Sequence, residues 1–435
     1  MIIDDDLKAR MQAASSDLDR GLDDQAHAGL RAMRRRLHRR NNALSLAVLL
    51  VVAFVAGIAV LTARPPAPSA VTSEGSWATT TAVPLPPGGI PAGADNERYA
   101  FLWTGASLTT GADARGPIVG ETGGPGGERR AVRLDDSARA ALFDRVRGTW
   151  SRLPAPPARG GLTDVAVMVD SYAVVVGADP VTGAVRALVY RDDEGWTVVR
   201  APFVDESSVA VATDGDVVFA VAGRPDVSPA AAVLDPRRKQ WRDLPDPPLT
   251  ARTGASVVWT GTDVIVWGGS QAERNAADGA TYSPASGRWR PIVDAPQPRA
   301  HHASVWLDRR MVVVGGQVGP LPATDALVYD PGADAWSVIP GPPAGPHVDA
   351  TVVPTPRGLL VAGGAETAGA ASTDAALLDV SAAVWQEIAD MPEPGRCDAA
   401  GVTTDQDTVL VWGGTRTCGD MGAPTVVPGA LLGLE

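Results

Sequence analysis

The chain has 435 residues, of which 20% are charged and 45% hydrophobic, and its net charge is −12. This charged fraction, with a mean hydropathy of +0.01, excludes a disordered chain, and 47 glycines and 37 prolines without a three-residue period exclude a collagen-like one. Such a composition is typical of many short strands joined by turns.

The first predicted element is a membrane-spanning helix over residues 43–63. These 21 residues carry no charge, and as a helix they cover about 31 Å, enough for a bilayer core of ~30 Å. Six arginines precede them in RAMRRRLHRRNN, and arginine clusters stay on the cytoplasmic side. The alternative is a cleaved signal peptide, whose apolar core is usually only about 7–15 residues long. We therefore predict a single-pass protein of the cell membrane that contacts the lipid bilayer through residues 43–63.

Residues 1–42 are the predicted cytoplasmic segment, with acidic residues first and basic residues last, an order that suits a helix dipole. One interpretation is a solvated helix whose arginines touch anionic lipid head groups. The other is a docking segment for a cytoplasmic partner.

The rest of the chain has 29 Lys and Arg against 43 Asp and Glu, and such an acidic domain is a poor nucleic-acid binder. We therefore exclude nucleic acid as a ligand.

After a proline-rich linker at 64–76, the sequence repeats with a period of about 47 residues. Beyond Trp150, tryptophan recurs at steps of 46, 45, 48, 47 and 49 residues, and apolar segments that end in glycine alternate with it. Each unit predicts four short strands, which at this period form one blade of a β-propeller. The tryptophans, expected as buried wedges between blades, are Trp77, Trp150, Trp196, Trp241, Trp289, Trp336 and Trp385.

Glycine pairs end the second predicted strand of the last four units. A side chain here would collide with the neighbouring blade, and glycine also permits a positive φ. The pairs are Gly268 and Gly269, Gly315 and Gly316, Gly363 and Gly364, and Gly413 and Gly414.

This pattern resembles the kelch repeat family, which includes the propeller of galactose oxidase. Besides the glycine pairs, the resemblance rests on Tyr282 and Tyr329, each seven residues before a tryptophan, and on PRAHHAS at 298–304. It covers about residues 77–435. The units at 177 and 223 depart from the pattern because each has one glycine.

The two ends of the repeat region predict how the ring closes. The last unit stops at GALLGLE (429–435) after three strands, whereas GSWATTTAVPLPPGG (75–89) precedes any glycine-ended strand. We predict that the strand containing Trp77 completes the last blade. The predicted fold is therefore all-β, a seven-bladed kelch-type β-propeller over residues 77–435 preceded by a single transmembrane helix.

The two cysteines, Cys397 and Cys418, are expected at the open end of one hairpin in the last blade. Outside the membrane such a pair forms a disulfide, and the alternative is two unpaired buried thiols.

The step from Trp77 to Trp150 is 73 residues, and its surplus falls at 107–133. This insertion and the cysteines are predicted to share one face of the ring.

Cationic and histidine residues recur on that face, in the linkers between blades. The functional interpretation is a recognition face for a partner or an anionic group. The alternative is that the arginines only bond backbone carbonyls and acids between blades, a position common in the kelch pattern. The residues are Arg159, Arg252, Arg299, His302, His347 and Arg396.

No catalytic constellation is evident in the sequence. His301 and His302 are adjacent, so on a strand they would point to opposite faces and could not chelate one metal together. A copper site like that of galactose oxidase needs a tyrosine joined to a cysteine, and no tyrosine is near Cys397 or Cys418 in the sequence. GxSxG, HExxH, CxxC and P-loop patterns do not occur. We therefore expect no cofactor and no metal.

These features predict a membrane-anchored extracytoplasmic module that binds an extracytoplasmic protein or glycan. The alternative is an extracytoplasmic enzyme that acts on sugars, oxidase- or mutarotase-like, with its site at the axial mouth of the propeller. A third hypothesis is signalling, in which the state of the outer domain reaches residues 1–42.

Overall fold

The structure is a computed structural model that describes residues 75–85, 91–105, 107–110, 118–123, 129–135, 138–161, 163–205, 207–272, 274–343, 345, 348–365, 370–418 and 429–434. The chain divides into two units, Met1–Ala70 and Val71–Glu435, and every described residue belongs to the second. The predicted segments at 1–42 and 43–63, and nearly all of the linker at 64–76, lie outside the described residues. Within those residues, no helix has the length and hydrophobicity to span a bilayer.

Seven four-stranded antiparallel sheets form the blades of a propeller, as predicted. Blade 1 contains β2 (Pro91–Asp95), β3 (Tyr99–Thr104), β7 (Arg139–Asp144) and β8 (Thr149–Arg152). Blade 2 contains β9 (Val165–Val169), β10 (Tyr172–Ala178), β11 (Val185–Arg191) and β12 (Gly195–Arg200). Blade 3 contains β13 (Ser208–Thr213), β14 (Val218–Gly223), β15 (Ala230–Asp235) and β16 (Gln240–Asp243). Blade 4 contains β17 (Ser256–Trp259), β18 (Val264–Trp267), β19 (Gly279–Ser283) and β20 (Arg288–Ile292).

The remaining blades follow the same order. Blade 5 contains β21 (Ala303–Leu307), β22 (Arg310–Val314), β25 (Asp325–Asp330) and β26 (Ala335–Pro340). Blade 6 contains β27 (Thr351–Thr355), β28 (Gly358–Ala362), β29 (Ala375–Asp379) and β30 (Val384–Glu387). Blade 7 contains β31 (Ala400–Thr403), β32 (Thr408–Trp412), β33 (Gly429–Gly433) and, from the other end of the repeat region, β1 (Ser76–Thr80).

The strand from the N-terminal side closes the ring, as the sequence predicted. β1 pairs antiparallel with β33, which places Trp77 opposite Leu432 and Thr80 opposite Gly429. An apolar cluster that includes Leu102 and Val402 fills the interface between blades 7 and 1. Similar clusters fill the other six interfaces, so no seam is left open in the described chain.

Burial explains the strand patterns. The second and third strands of a blade are covered on both faces by neighbouring blades, so β10 (YAVVVGA) is apolar at nearly every position and buried. The outermost strands alternate, because only one of their faces packs against the core. In β16 (QWRD), for example, only Trp241 is shielded from solvent.

The tryptophans of the outermost strands link neighbouring blades. Five indole Nε1 groups donate to carbonyls of the preceding blade or its linker, including the bond from Trp77 to Ala389 O at 2.6 Å that joins blades 6 and 7. The other four are Trp196 to Pro154 O, Trp289 to Pro245 O, Trp336 to Val293 O and Trp385 to Pro340 O. Trp241 Nε1 is buried without a partner among the described residues.

All eight paired glycines have positive φ, between 65° and 99°. A Cβ on Gly363 would lie 2.3 Å from Arg396 O in the linker to the next blade, and one on Gly364 would lie 2.7 Å from Val348 O in the linker of its own blade. The predicted reasons for glycine, close backbone approach and positive φ, are therefore both confirmed.

Among the described residues, two loops between the second and third strands of a blade carry extra strands. In blade 1, β4 (Ser107–Thr110), β5 (Ile118–Gly123) and β6 (Arg129–Asp135) form a three-stranded sheet at the position of the predicted insertion. In blade 5, β23 (Gln317–Val318) and β24 (Leu321–Pro322) form a small hairpin.

Candidate functional site

The ring has two faces that differ in their connections. The linker face carries the linkers into the innermost strands, such as 252–255, and the loops after the glycine pairs, such as 268–278. The turn face carries the hairpin turns within blades, such as 260–263 and 308–309. The insertion in blade 1 lies on the linker face because it follows β3 and precedes β7.

A repeated backbone unit builds the linker face. In blade 4, Thr253 N donates to Ser270 O at 2.9 Å and Ser270 N donates to Thr253 O at 2.8 Å. The same bridge joins Ala300 to Gln317, Val348 to Ala365 and Cys397 to Thr415. The cationic and histidine residues predicted for this face are called the cationic ring below. In each bridge the linker residue lies directly after one of its members, namely Arg252, Arg299, His347 or Arg396. The bridge therefore fixes the backbone just before it enters the innermost strand of the blade.

Two arginines of the predicted cationic ring are buried ion-pair partners rather than surface groups. Arg252 is 1% exposed and contacts Asp278 with both terminal nitrogens, at 2.9 Å and 2.8 Å. It also donates to Gly268 O, and Arg299 in the next blade pairs with Asp325 and donates to Gly315 O at 3.0 Å. These two guanidinium groups fasten the glycine-ended strand to the third strand, as in the alternative interpretation of the pattern.

The other members of the ring are placed differently. Arg396 is 1% exposed and donates to Val411 O at 3.1 Å. Arg159 is exposed at the linker face, and its carbonyl accepts a bond from Arg186. His347 lies outside the described residues. A recognition role for this face stays a prediction, and any ligand there would meet exposed residues rather than the three buried arginines.

Blade 2 reverses the polarity of this ion pair. Here the arginine is Arg186 on the third strand, which donates to Gly177 O at 2.7 Å. The acid is Asp164 from the linker, 3.7 Å from Arg186 and bonded by Trp103 Nε1 at 2.9 Å. Burial raises the pKa of Asp164, although Arg186 opposes this shift. The charge pair is thus kept in blade 2 with its partners exchanged between the two elements.

His302 packs between blades 4 and 5. Its Nε2 lies 3.0 Å from Ser256 Oγ, and its ring meets the Trp267 ring edge-on at 5.0 Å between centroids. Burial, with the charges of Arg299 and His301, lowers the pKa of His302 to about 3. The imidazole is therefore neutral at physiological pH and acts as a packing group.

Cys397 and Cys418 form a disulfide, as predicted, with their Cα atoms 5.4 Å apart. Both are buried together with Ala365 of blade 6. The bridge thus braces the linker face of blade 7, where the two ends of the repeat region meet.

A cavity of about 330 Å³ opens at the axial mouth of the linker face. His301, Asp349 and Asp398 line it, each from the linker into a different innermost strand. All three have a left-handed backbone, with φ of 55°, 55° and 52°. The corresponding position in blade 4 is Gly254, with φ of 63°. The ring therefore gathers three ionisable side chains from blades 5, 6 and 7 at positions where glycine would be the unstrained choice.

The two carboxyl groups of the cavity have perturbed ionisation. Burial raises the pKa of Asp349, and His301 opposes that shift. Burial and the neighbouring Asp349 raise the pKa of Asp398 to about 6. Their backbones are also joined, because Asp398 N donates to Asp349 O at 2.9 Å. The two carboxyl groups repel each other when both are ionised, and a cation in the cavity would relieve that repulsion.

The cavity combines carboxyl groups with apolar side chains, a lining that suits an organic cation. Among the described residues, no three His, Cys, Asp or Glu side chains are grouped closely enough to hold a metal ion. The lining also includes apolar side chains, among them Pro91, Val314 and Ala399, against which a hydrocarbon stem can pack.

Sequence reasoning did not single out Asp349 and Asp398, and it considered His301 only as a metal ligand. The signal that finds them is their register. His301 and Asp398 lie two residues after Arg299 and Arg396, and Asp349 lies two residues after His347. Once the repeats are aligned, this position holds an ionisable residue in three consecutive blades.

Comparison with known proteins supports the repeat assignment. Residues 207–414 match the family model of the KLHDC2/KLHL20/DRC7 kelch-repeats domain, and the predicted resemblance is thereby confirmed. A solved structure described as "Structure of YjhT" is similar, with 13% identity, a TM-score of 0.47, and coverage of 80% of this chain and 95% of that one. No curated protein matches the sequence.

Proposed function

We propose that this protein is a membrane-anchored binding module. The premise is that residues 207–414 match a kelch-repeat model and belong to a closed seven-bladed propeller. Its ligand is an extracytoplasmic protein that inserts a lysine or arginine side chain into the axial cavity. The observation that carries the proposal is the convergence of Asp349 and Asp398 on one cavity. A charge-assisted hydrogen bond to either carboxylate is short and strong, and the apolar lining receives the aliphatic stem.

The proposed anchor is the apolar segment at 43–63, with the propeller on the far side of the membrane. The disulfide between Cys397 and Cys418 suits that compartment, since disulfides persist outside the cytoplasm. β1 runs from the turn face to the linker face, because it is antiparallel to β33. Gly75, the first described residue, therefore lies at the turn face, opposite the cavity.

Selection from a phage-displayed random peptide library against the full chain, purified in detergent, tests the proposal. We expect enriched peptides to contain lysine or arginine and to lose binding to an Asp349→Asn/Asp398→Asn variant. The matched control, Asp192→Asn/Asp193→Asn, removes the same charge from the turn between β11 and β12 and should bind as the wild type does. Enrichment of peptides without basic residues, or equal binding by both variants, would contradict the proposal.

Sugar chemistry at the same cavity is the second candidate function, and one observation favours it. A carboxyl group with a pKa of about 6, as at Asp398, is suited to proton transfer near neutral pH. Incubating the full chain with a panel of aldoses and following anomer exchange and oxidation by NMR tests this function. Turnover by the wild type that is lost in Asp398→Asn would support the enzyme hypothesis. If the wild type shows no turnover, the enzyme hypothesis is rejected and the binding-module proposal stands.

A further inference from the structure

A second concave site lies on the turn face, away from the axial cavity. It is a groove of about 600 Å³ between blades 4 and 5, lined by Arg290, Arg309 and Arg310 together with Trp306 and several hydroxyl and carboxylate groups. Arg290 comes from the outermost strand of blade 4, and the other two come from the first hairpin of blade 5. Two strands and a turn therefore bring cationic side chains to one groove.

Two of these arginines have no partner in the part of the chain that the structure describes. No side chain or carbonyl among the described residues lies within hydrogen-bond or ion-pair distance of the Arg309 or Arg310 guanidinium groups. Arg290 is placed beside the hydroxyl of Tyr329.

The groove between blades 3 and 4 offers a comparison, because it has the same place in the repeat and the same volume of about 600 Å³. There Arg238 pairs with Asp235 at 3.2 Å, and nearby Arg237 pairs with Asp216 at 2.9 Å. Arg242 also lines that groove and, among the described residues, has no hydrogen-bond or ion-pair partner. The groove between blades 4 and 5 differs in holding two such arginines, Arg309 and Arg310, at adjacent positions.

The turn that presents Arg309 is strained. Asp308 and Arg309 form a two-residue hairpin with φ of 50° and 62°, the geometry that favours Asn-Gly. In blades 3 and 4 the equivalent turns place Gly215 and Gly261 at positive φ. An arginine that occupies a position where glycine is relaxed is worth a functional hypothesis, since such strain concentrates at binding sites.

The remaining lining narrows the ligand class. Simple anions would be repelled by Asp263, Asp308 and Asp330, which line the same groove. An anion that also carries hydroxyl groups can donate to these carboxylates, exchange hydrogen bonds with Thr260 and Thr262, and pack a ring against Trp306. Asp330 accepts Gly332 N at 2.8 Å through Oδ1, which leaves Oδ2 for a ligand. From the unpaired arginines, the strained turn and this mixed lining, we propose that the groove between blades 4 and 5 binds an acidic saccharide.

Isothermal titration of the full chain, purified in detergent, with tetragalacturonate tests the site, with neutral galactotetraose and sodium sulfate as companion ligands. We expect tetragalacturonate to bind and both companions to bind at least tenfold more weakly. Arg309→Gly should lower the affinity at least tenfold without lowering Tm, because glycine relaxes the turn. Arg310→Ala should weaken binding to a similar extent. Arg238→Ala, in the neighbouring groove, is the matched control and should leave the affinity unchanged.

Three results would overturn the proposal. They are the absence of tetragalacturonate binding, equal affinity for sulfate, and retained affinity in Arg309→Gly. The Asp349→Asn/Asp398→Asn variant separates this site from the axial cavity. It should bind tetragalacturonate as the wild type does, so either site can fail its test while the other passes.

Discussion

Ionisation of the Asp398 carboxyl group is disfavoured by desolvation and by Asp349, which together raise its pKa to about 6 from an ordinary value of 3.8, although the residue is exposed at the cavity mouth. That exposure keeps the effect on stability small. A carboxyl group that is harder to ionise in the folded than in the unfolded state costs stability once it is charged. The cost is absent well below pH 4, grows between pH 4 and pH 6, and is complete above pH 6. The charge needed for binding is therefore held at the expense of folding stability.

Replacing Asp398 with Asn should accordingly raise Tm at pH 7.5 by about 1–3 °C. At pH 3.5 the difference should nearly vanish, since the carboxyl group is then mostly neutral in both states. Differential scanning calorimetry at the two pH values measures this. Asp246→Asn, at an exposed linker position, serves as the control and should show no such difference. A lower Tm for Asp398→Asn at pH 7.5 would contradict the predicted sign.

A comparison of Trp289 with Trp241 measures how much one hydrogen bond between blades contributes to the free energy of unfolding. Trp289 Nε1 donates to Pro245 O at 2.6 Å, whereas Trp241 Nε1 is buried without a partner among the described residues. Replacement by Phe removes similar ring area at both sites but breaks a hydrogen bond only at Trp289. Urea denaturation should show Trp289→Phe to be more destabilising than Trp241→Phe by about 1 kcal/mol. Equal losses would mean that the bond adds nothing to stability.

The sequence predicted the residues that stabilise the fold better than it predicted the residues that line the axial cavity. The tryptophan wedges, the glycine pairs and the disulfide follow from repeat spacing and backbone sterics, which act locally. Asp349 and Asp398 converge only after the ring has closed, so no local pattern marks them. The burial of Arg252 also depends on a carboxylate 26 residues later in the chain, which the sequence shows only once the third strand of each blade is aligned.

At the scale of elements, β1 decides whether the ring is closed. Without it, β33 would become an exposed edge strand, and the bond from Trp77 to Ala389 O would be lost. Deleting residues 75–84 from the full chain should lower Tm by at least about 10 °C. Ala78→Thr, an exposed change in the same strand, should leave Tm within about 1 °C. An unchanged Tm after the deletion would refute closure by β1.

The disulfide stabilises the blade that β1 completes. Cys397 and Cys418 are 21 residues apart in sequence, and a loop of that length gives about 3 kcal/mol in the chain-entropy estimate. The Cys397→Ser/Cys418→Ser variant should lose about this much unfolding free energy in urea without reductant. Adding reductant to the wild type should produce the same loss, whereas the variant should not respond. A wild type that is insensitive to reduction would contradict a stabilising role.

The position of the insertion could be predicted from the sequence, but its secondary structure could not. Its place after the second strand of blade 1 followed from a step of 73 residues between tryptophans. Its three-stranded sheet did not, because the segment is rich in glycine and lacks the alternation of apolar and polar residues that marks a strand.

Across the whole molecule, the two faces of the ring carry different chemistry. The linker face holds the acidic axial cavity, the disulfide and the insertion, and the turn face holds the groove with unpaired arginines. A propeller separates such sites because connections alternate between its faces along every blade. The two proposed ligands, a basic protein side chain and an acidic saccharide, would therefore not compete for one site.

The most direct test of the proposed function is the affinity of one basic peptide for the axial cavity, measured at two pH values. A lysine- or arginine-containing peptide enriched in the library selection should bind the full chain more tightly at pH 7.5 than at pH 5.0, since Asp398 is neutral at the lower value. The Asp349→Asn/Asp398→Asn variant should bind it at least tenfold more weakly at pH 7.5 and show little dependence on pH. An affinity that is the same for wild type and variant, and at both pH values, would contradict binding through these carboxylates.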